Sequence, residues 1–380
     1  MTTTSASTKP HRSYLVLSDI HLGARTTTAT EILNHLTTFF DDFSAKSPFC
    51  KVKVIFIAGD LWDDTLAFAD ELFGQFLPWF LRFLRWCSLY GIKLRIMEGT
   101  PRHDRKQAAT LAKIVDMLHI EIDFKYVSEL SIEYIDGLDM SVLYVPDECR
   151  HTAAVVERDV EALFTEHNLA QVDIAIMHGM FKYQLGTIPM NSKVHDEEWY
   201  LEKVKNYISI GHIHTYSQYS RIVAEGSFDR LAHGEESPKG AVLFQETEAG
   251  EWVYFFIENT HAKVYKTITV KGDIESALTT IDKALRKIPF GSYIRIQAPA
   301  VHPIFQGFET LRQKYPLFTF SKKATVKDVE KVSIQPVNYT PIVLSKDTLT
   351  EAICEEVAGQ SILDVDEYQA LRGLLETLHS

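Results

Sequence analysis

The four cysteines, at positions 50, 87, 149 and 354 of 380 residues, form no CxxC pair, so neither a zinc ribbon nor a disulfide framework is suggested. A reducing, cytoplasmic setting is the expectation. Glycine and proline are sparse, 18 and 13, and recur without a period, which excludes collagen-like and low-complexity architectures. No long uninterrupted apolar run is present. The most apolar stretch, 72–90, carries Pro78, Arg82 and Arg85 and reads as a buried helix rather than a membrane span. The opening MTTTSASTKPHRS lacks the apolar core of a signal peptide. An excess of positive charge is also missing. The net charge of −12 argues against a chain that coats nucleic acid.

What is present is the make-up of a globular protein, 46% apolar and 24% charged, long enough for two or three domains. The charge is uneven. Residues 262–345 hold 13 Lys/Arg against 6 Asp/Glu, and residues 346–380 hold 2 against 8. The basic segment could attract a polyanion, because phosphate contacts dominate nucleic-acid affinity, or it could be an ordinary solvated surface. Carboxylates gathered around divalent cations would explain part of the acidity elsewhere.

Short apolar runs at 14–17, 52–58, 93–97, 141–145, 172–177 and 207–210 read as strands, and helical patterns fall at 30–43, 67–90, 108–118 and 153–167. Their alternation predicts an α/β core over 1–261, closing with a hairpin at 241–245 and 251–258. A β-α-β-α-β order from 264 to 321 predicts a small α+β domain at 262–340. Two helices are expected in 341–380, at about 348–358 and 365–378. The second carries Val365, Tyr368, Leu371, Leu375 and Leu378 as one apolar stripe.

Five His/Asp blocks follow expected strands: Asp19 and His21; Asp60; His103 and Asp104; His178; and His212 with His214. Ligands collect at the carboxyl ends of strands in open α/β sheets, so blocks spread over almost 200 residues could converge. Any one of them could be a surface loop or a satisfied core histidine. Together they suit manganese, iron or zinc, and they outnumber the ligands one four-coordinate ion needs. Two ions sharing Asp60 would use them all, and such a pair can activate water for phosphoryl displacement. Asp-x-His and His-x-His are expected to present both donors on one side of an extended segment.

The ordered pattern Asp-x-His, Gly-Asp-x-x-Asp, Gly-…-His-Asp, His, Gly-His-x-His resembles the calcineurin-like metallophosphoesterases. Gly226-Ser227-Phe228-Asp229-Arg230-Leu231, Gly234-Glu235-Glu236 and Lys239-Gly240 are similar to the segment carried by the nuclease subunit of SbcCD-type DNA repair exonucleases, including bacteriophage recombination endonucleases. The resemblance implies an α/β metallophosphoesterase sandwich of mixed sheets flanked by helices, with a small α+β capping domain and C-terminal helices. It implies a DNA exonuclease and endonuclease using two divalent metal ions, manganese or magnesium. Asp19, His21, Asp60 and His214 would hold one ion, and Asp60, His178 and His212 the other. His103 would contact the scissile phosphate and assist departure of the leaving group. DNA and an SbcC-like coiled-coil ATPase are the implied partners, and a homodimer is plausible. The chain departs from the family at Gly99-Thr100-Pro101-Arg102-His103-Asp104, which is two residues longer than Gly-Asn-His-Asp and lacks the Asn ligand. Thr100 offers only a hydroxyl there, and His103 itself could bind metal. Arg102, Arg105 and Lys106 become candidates for gripping phosphate, or form a solvated basic turn. Two other readings stay open: a phosphomonoesterase or small-molecule phosphodiesterase, and a scaffold whose metal site has decayed.

Overall fold

The computed structural model describes residues 12–24, 29–45, 51–67, 69–147, 152–186 and 193–325, all within one unit that ends at Thr325. Continuous β-branched and aromatic runs form strands buried on both faces, as parallel strands must be when layers cover both sides. β1 (Ser13–Leu17), β2 (Val54–Ala58), β3 (Lys93–Met97) and β4 (Phe124–Val127) run parallel. The antiparallel hairpin β13 (Gly240–Glu246) and β14 (Trp252–Glu258) joins β1, giving the order β14-β13-β1-β2-β3-β4. A second sheet repeats the plan. β6 (Met140–Val145), β7 (Ile174–His178), β10 (Ile208–Gly211) and β12 (Ile222–Ala224) are parallel, and β5 (Ser131–Ile135) and β11 (Ser217–Tyr219) flank them antiparallel.

Strand residues alternate between faces, and each face has its own core. Tyr14, Val16, Val54 and Phe56 meet Val142, Tyr144, Ile174 and Ile176 between the sheets. Leu15, Leu17, Ile55 and Ile57 turn the other way, towards α1 (Ala29–Ala45), α2 (Glu71–Tyr90) and α3 (Ala108–Met117). Ala175, Met177, Ile208 and Ile210 face α4 (Ala153–Glu166) and α5 (Glu197–Lys203). The result is a mixed α/β architecture of helix, sheet, sheet and helix layers. A two-residue parallel pair, β8 (Met180–Phe181) and β9 (Val194–His195), lies outside them.

From 265 onward the chain forms three parallel strands, β15 (Tyr265–Thr269), β16 (Tyr293–Pro299) and β17 (Thr319–Thr325), with α6 (Ile274–Leu285) and α7 (Phe308–Lys314). Ile268, Ile281, Ile294, Ile296, Leu311 and Phe320 make a core of their own. The expected helices of 341–380 and residues 326–340 lie outside the described residues.

Two of the boundaries that differ from the sequence reading have a local cause. The strand expected at 172 starts at Ile174, because Val172 instead bridges to Val204. The helix expected at 67 starts at Glu71, because Asp70 is extended. Pro78 does not stop α2. It sits on the exposed face, where the lost backbone donor leaves a carbonyl to water. Among the described residues no helix is long and apolar enough to cross a membrane.

Candidate metal centre

The carboxyl ends of β1, β2 and β3 in one sheet and of β7 and β10 in the other meet along one edge of the sandwich. The loops there are held in unusual conformations. Asp19, His21 and Asp60 have φ of 50°, 50° and 51°, and His212 has 100°. Side chains rarely adopt this left-handed region, and such residues persist only where the surroundings over-determine them. Here they do. Asp19 N–H donates to Gly59 C=O at 3.1 Å, His21 N–H to Asp60 C=O at 3.0 Å, and His212 N–H to Asp19 Oδ2 at 2.9 Å. The expectation of an extended Asp-x-His and His-x-His therefore fails. Left-handed turns bring Asp19 and His21 together, while His212 and His214 go to different clusters.

Close approach explains the glycines. A Cβ on Gly59 (φ +87°) would lie 2.3 Å from His178 Nδ1, and one on Gly211 would lie 1.8 Å from Ser18 Oγ. Only glycine lets these strand ends come near enough for their neighbours to share one site.

Three clusters of donors result, each with ligand atoms within 4.8 Å of one another: Asp19, His21 and His214; Asp60, His178 and His212; and His21, Asp60 and His103. Asp60 lies between the first two, with Oδ2 at 3.7 Å from His21 Nε2 and 3.3 Å from His178 Nε2. All six expected metal ligands are thus brought together, with His103 beside them. Four of the five imidazoles are oriented in a common way. Nδ1–H of His21 donates to Asp63 Oδ1 (3.0 Å), that of His178 to Ala58 C=O (2.7 Å), that of His214 to Glu235 Oε1 (3.1 Å) and that of His103 to Asp63 C=O (2.7 Å). Each ring is fixed with its Nε2 atom turned inwards, the atom that a metal ion would take in place of a proton. Nε2 of His214 and Nε2 of His21 face each other at 3.2 Å.

The electrostatics agree with a cation site. Burial alone would lower the His21 and His178 imidazoles, but the Asp19 and Asp63 carboxylates beside the first, and Asp60 beside the second, hold both up at about 10. Burial raises Asp19 and Asp60, yet the facing histidines keep both below the ordinary carboxylate value. The buried carboxylates strongly favour positive charge among them. Mixed imidazole and carboxylate donors fit manganese, iron or zinc, and these buried clusters could hold a metal ion.

Two residues around the ligands take roles that the sequence did not assign to them. Asp104 accepts from the backbone N–H groups of Asp60 (3.0 Å), Trp62 (3.0 Å) and Gly99 (2.7 Å), tying two strand ends together. Burial pushes it up to about 7. Thr100 stands against the Asp60, His178 and His212 cluster. Its N–H donates to Asp60 Oδ1 at 2.6 Å, and its hydroxyl lies 3.1 Å from Asp60 Oδ2, 3.4 Å from His178 Nε2 and 3.3 Å from His212 Nδ1. Thr100, Asp104 and Asp63 all stand in the motifs that follow strands, but nothing local marked the partners they bind. Arg102, Arg105 and Lys106 are exposed on the following turn, and Arg105 is engaged by Asp64 at 3.3 Å and by the Arg102 carbonyl at 3.0 Å. They are not part of the ligand clusters.

No protein-family model matches the chain, and no curated protein does. Among solved structures, GAP50, described as the anchor in the inner membrane complex of Plasmodium, is similar at 11% identity and a TM-score of 0.40, over 66% of this chain and 86% of that one. Another crystal structure is similar at the same identity and score, over 65% of this chain and 99% of that one. Likeness at this level says nothing about function.

Proposed function

We propose that the chain is a two-metal phosphodiesterase of the metallophosphoesterase type that cleaves DNA. The observation that carries this reading is the pair of buried His/Asp clusters joined at Asp60, with His103 at their side. Asp19, His21, Asp60 and His214 would hold one ion and Asp60, His178 and His212 the other. Two divalent ions, manganese or magnesium, would supply there the charge that activates water and steadies the oxygens of phosphoryl displacement.

The chain's own groups set the geometry around that chemistry. Asp63 orients two rings at once, His21 through its carboxylate and His103 through its carbonyl. With Nδ1–H of His103 committed to that carbonyl, Nε2 is the atom free to hold or move a proton at the leaving oxygen. The basic character of 262–345 supports a polyanionic substrate, and the resemblance supports DNA ends or recombination intermediates. On this reading 1–261 is the nuclease domain, 262–340 a capping domain, and 341–380 the helices that dock on an SbcC-like ATPase coiled coil.

The test is cleavage of defined duplex ends against nitrophenyl phosphates, together with bound-metal analysis, for the intact chain and for Asp60→Ala. We expect metal-dependent DNA cleavage in the intact chain. In the variant hydrolysis should be nearly abolished and metal content reduced. Activity of Asp60→Ala within a few-fold of wild type would eliminate the two-ion assignment. Preference for monoesters over DNA would move the protein to the phosphatase reading.

A further inference from the structure

We infer that Glu235 and Lys239 are positioning residues for a single ligand, His214, and so govern the affinity of one metal position and not the other. The inference rests on the two-metal reading above. It concerns the segment 226–240, which contributes no donor to the ligand clusters.

His214 is gripped at both ends by this segment. Its ring donates Nδ1–H to Glu235 Oε1 at 3.1 Å. Its carbonyl accepts from Lys239 Nζ at 2.6 Å and from Ser227 N–H at 3.2 Å. Lys239 closes the arrangement, donating to Ser227 Oγ at 2.8 Å and standing 3.2 Å from Glu235 Oε2. Leu231 N–H donates to the same Glu235 oxygen, also at 3.2 Å. The turn fits tightly beneath the ligand: a Cβ on Gly226 (φ +71°) would meet the Tyr216 nitrogen at 2.8 Å and the His214 carbonyl at 2.9 Å.

The lysine is the informative part. Its side chain is 1% exposed. A buried ammonium is costly unless all its donors are used, and here three acceptors converge on it. Two of them belong to His214 and to the carboxylate that orients His214. A carboxylate on Nδ1–H fixes the ring and makes Nε2 a better electron donor, which is how an outer group tunes a metal ligand. His212, two residues away, has no such support. Its Nδ1 faces the Thr100 hydroxyl at 3.3 Å, and among the described residues no carboxylate is hydrogen-bonded to its ring. The two positions should therefore respond differently to the same substitution.

Manganese binding to the full-length chain, followed by titration calorimetry and by the electron paramagnetic resonance of free Mn²⁺, tests this. Wild type should show two binding classes. Glu235→Ala should weaken one class about 10–100-fold and leave the other within about twofold. Glu235→Gln should lose less, because its amide oxygen still accepts from Nδ1–H. In a His214→Ala background, Glu235→Ala should add nothing, an outcome that general loosening of the fold would not give. Equal weakening of both classes, unchanged affinities, or full additivity with His214→Ala would overturn the inference. If Glu235→Ala does not fold, the near-isosteric Glu235→Gln decides by the same criteria. A wild-type chain that takes up no metal would instead defeat the reading on which the inference rests.

Discussion

His103 separates two kinds of chemistry at one side chain. It shares a cluster with His21 and Asp60, yet its Nδ1–H is anchored to a backbone carbonyl and its ring is half-buried. If it assists the leaving group, His103→Ala should keep its metal while turnover falls on the order of 10²–10⁴-fold. Collapse of metal content would show that it serves as a ligand. Glu225 is a second residue of consequence. It is wholly buried between the sheets, among the described residues neither carboxylate oxygen has a well-formed hydrogen bond, and burial pushes it up to about 8. The folded chain therefore holds that proton more tightly than the unfolded chain. Its contribution to stability is full below the unfolded value near 4.5 and is lost as pH rises through about 8. In chelator, Glu225→Gln should flatten the stability profile between pH 5 and 9 by on the order of a few kcal/mol. Parallel profiles for the two proteins would sink the idea.

At the level of elements, the strand ends depend on contact as much as on pairing. Gly211→Ala puts a methyl against Ser18 Oγ and, at 2.6 Å, against the Ala58 carbonyl. Because backbone cannot step aside cheaply, a loss of about 1–3 kcal/mol is expected in thermal or denaturant unfolding. A variant as stable as wild type would show that the ends are looser than described. The same contacts explain what could be read in advance. Eight strands and four helices of the two-sheet body were legible because 54–58 is a continuous apolar run, its counterparts are rich in apolar residues, and α1 to α4 have clear apolar faces. β5 and β11 were not, since Ser131–Ile135 and Ser217–Tyr219 are short, polar-interrupted edges defined by their partners. Within the site, ligand identities were readable from residue type and order. The left-handed turns that separate His212 from His214, and the work of Asp104 and Thr100, come from packing between segments far apart in sequence.

For the whole molecule, the question is what the basic segment meets. Lys322 and Lys323 are exposed on β17; Lys327 and Lys331, named with them from the sequence, lie outside the described residues. Replacing these lysines with Glu should weaken DNA binding and flatten its dependence on salt, because fewer counterions are released. Hydrolysis of a small chromogenic phosphodiester should persist. An unchanged affinity and salt slope would return the segment to an ordinary solvated surface.

The anchoring of the four imidazoles bears on how ions would come and go. Their Nδ1 protons are committed to Asp63, Ala58 and Glu235, and Asp104 knots the loops around Asp60 and Gly99. These bonds belong to the protein alone. Little conformational entropy would be left to lose on loading, unlike in small domains where capture of the ion is itself the folding step. Chelation should thus strip the site and leave the sandwich standing, ready to be refilled with a different divalent ion.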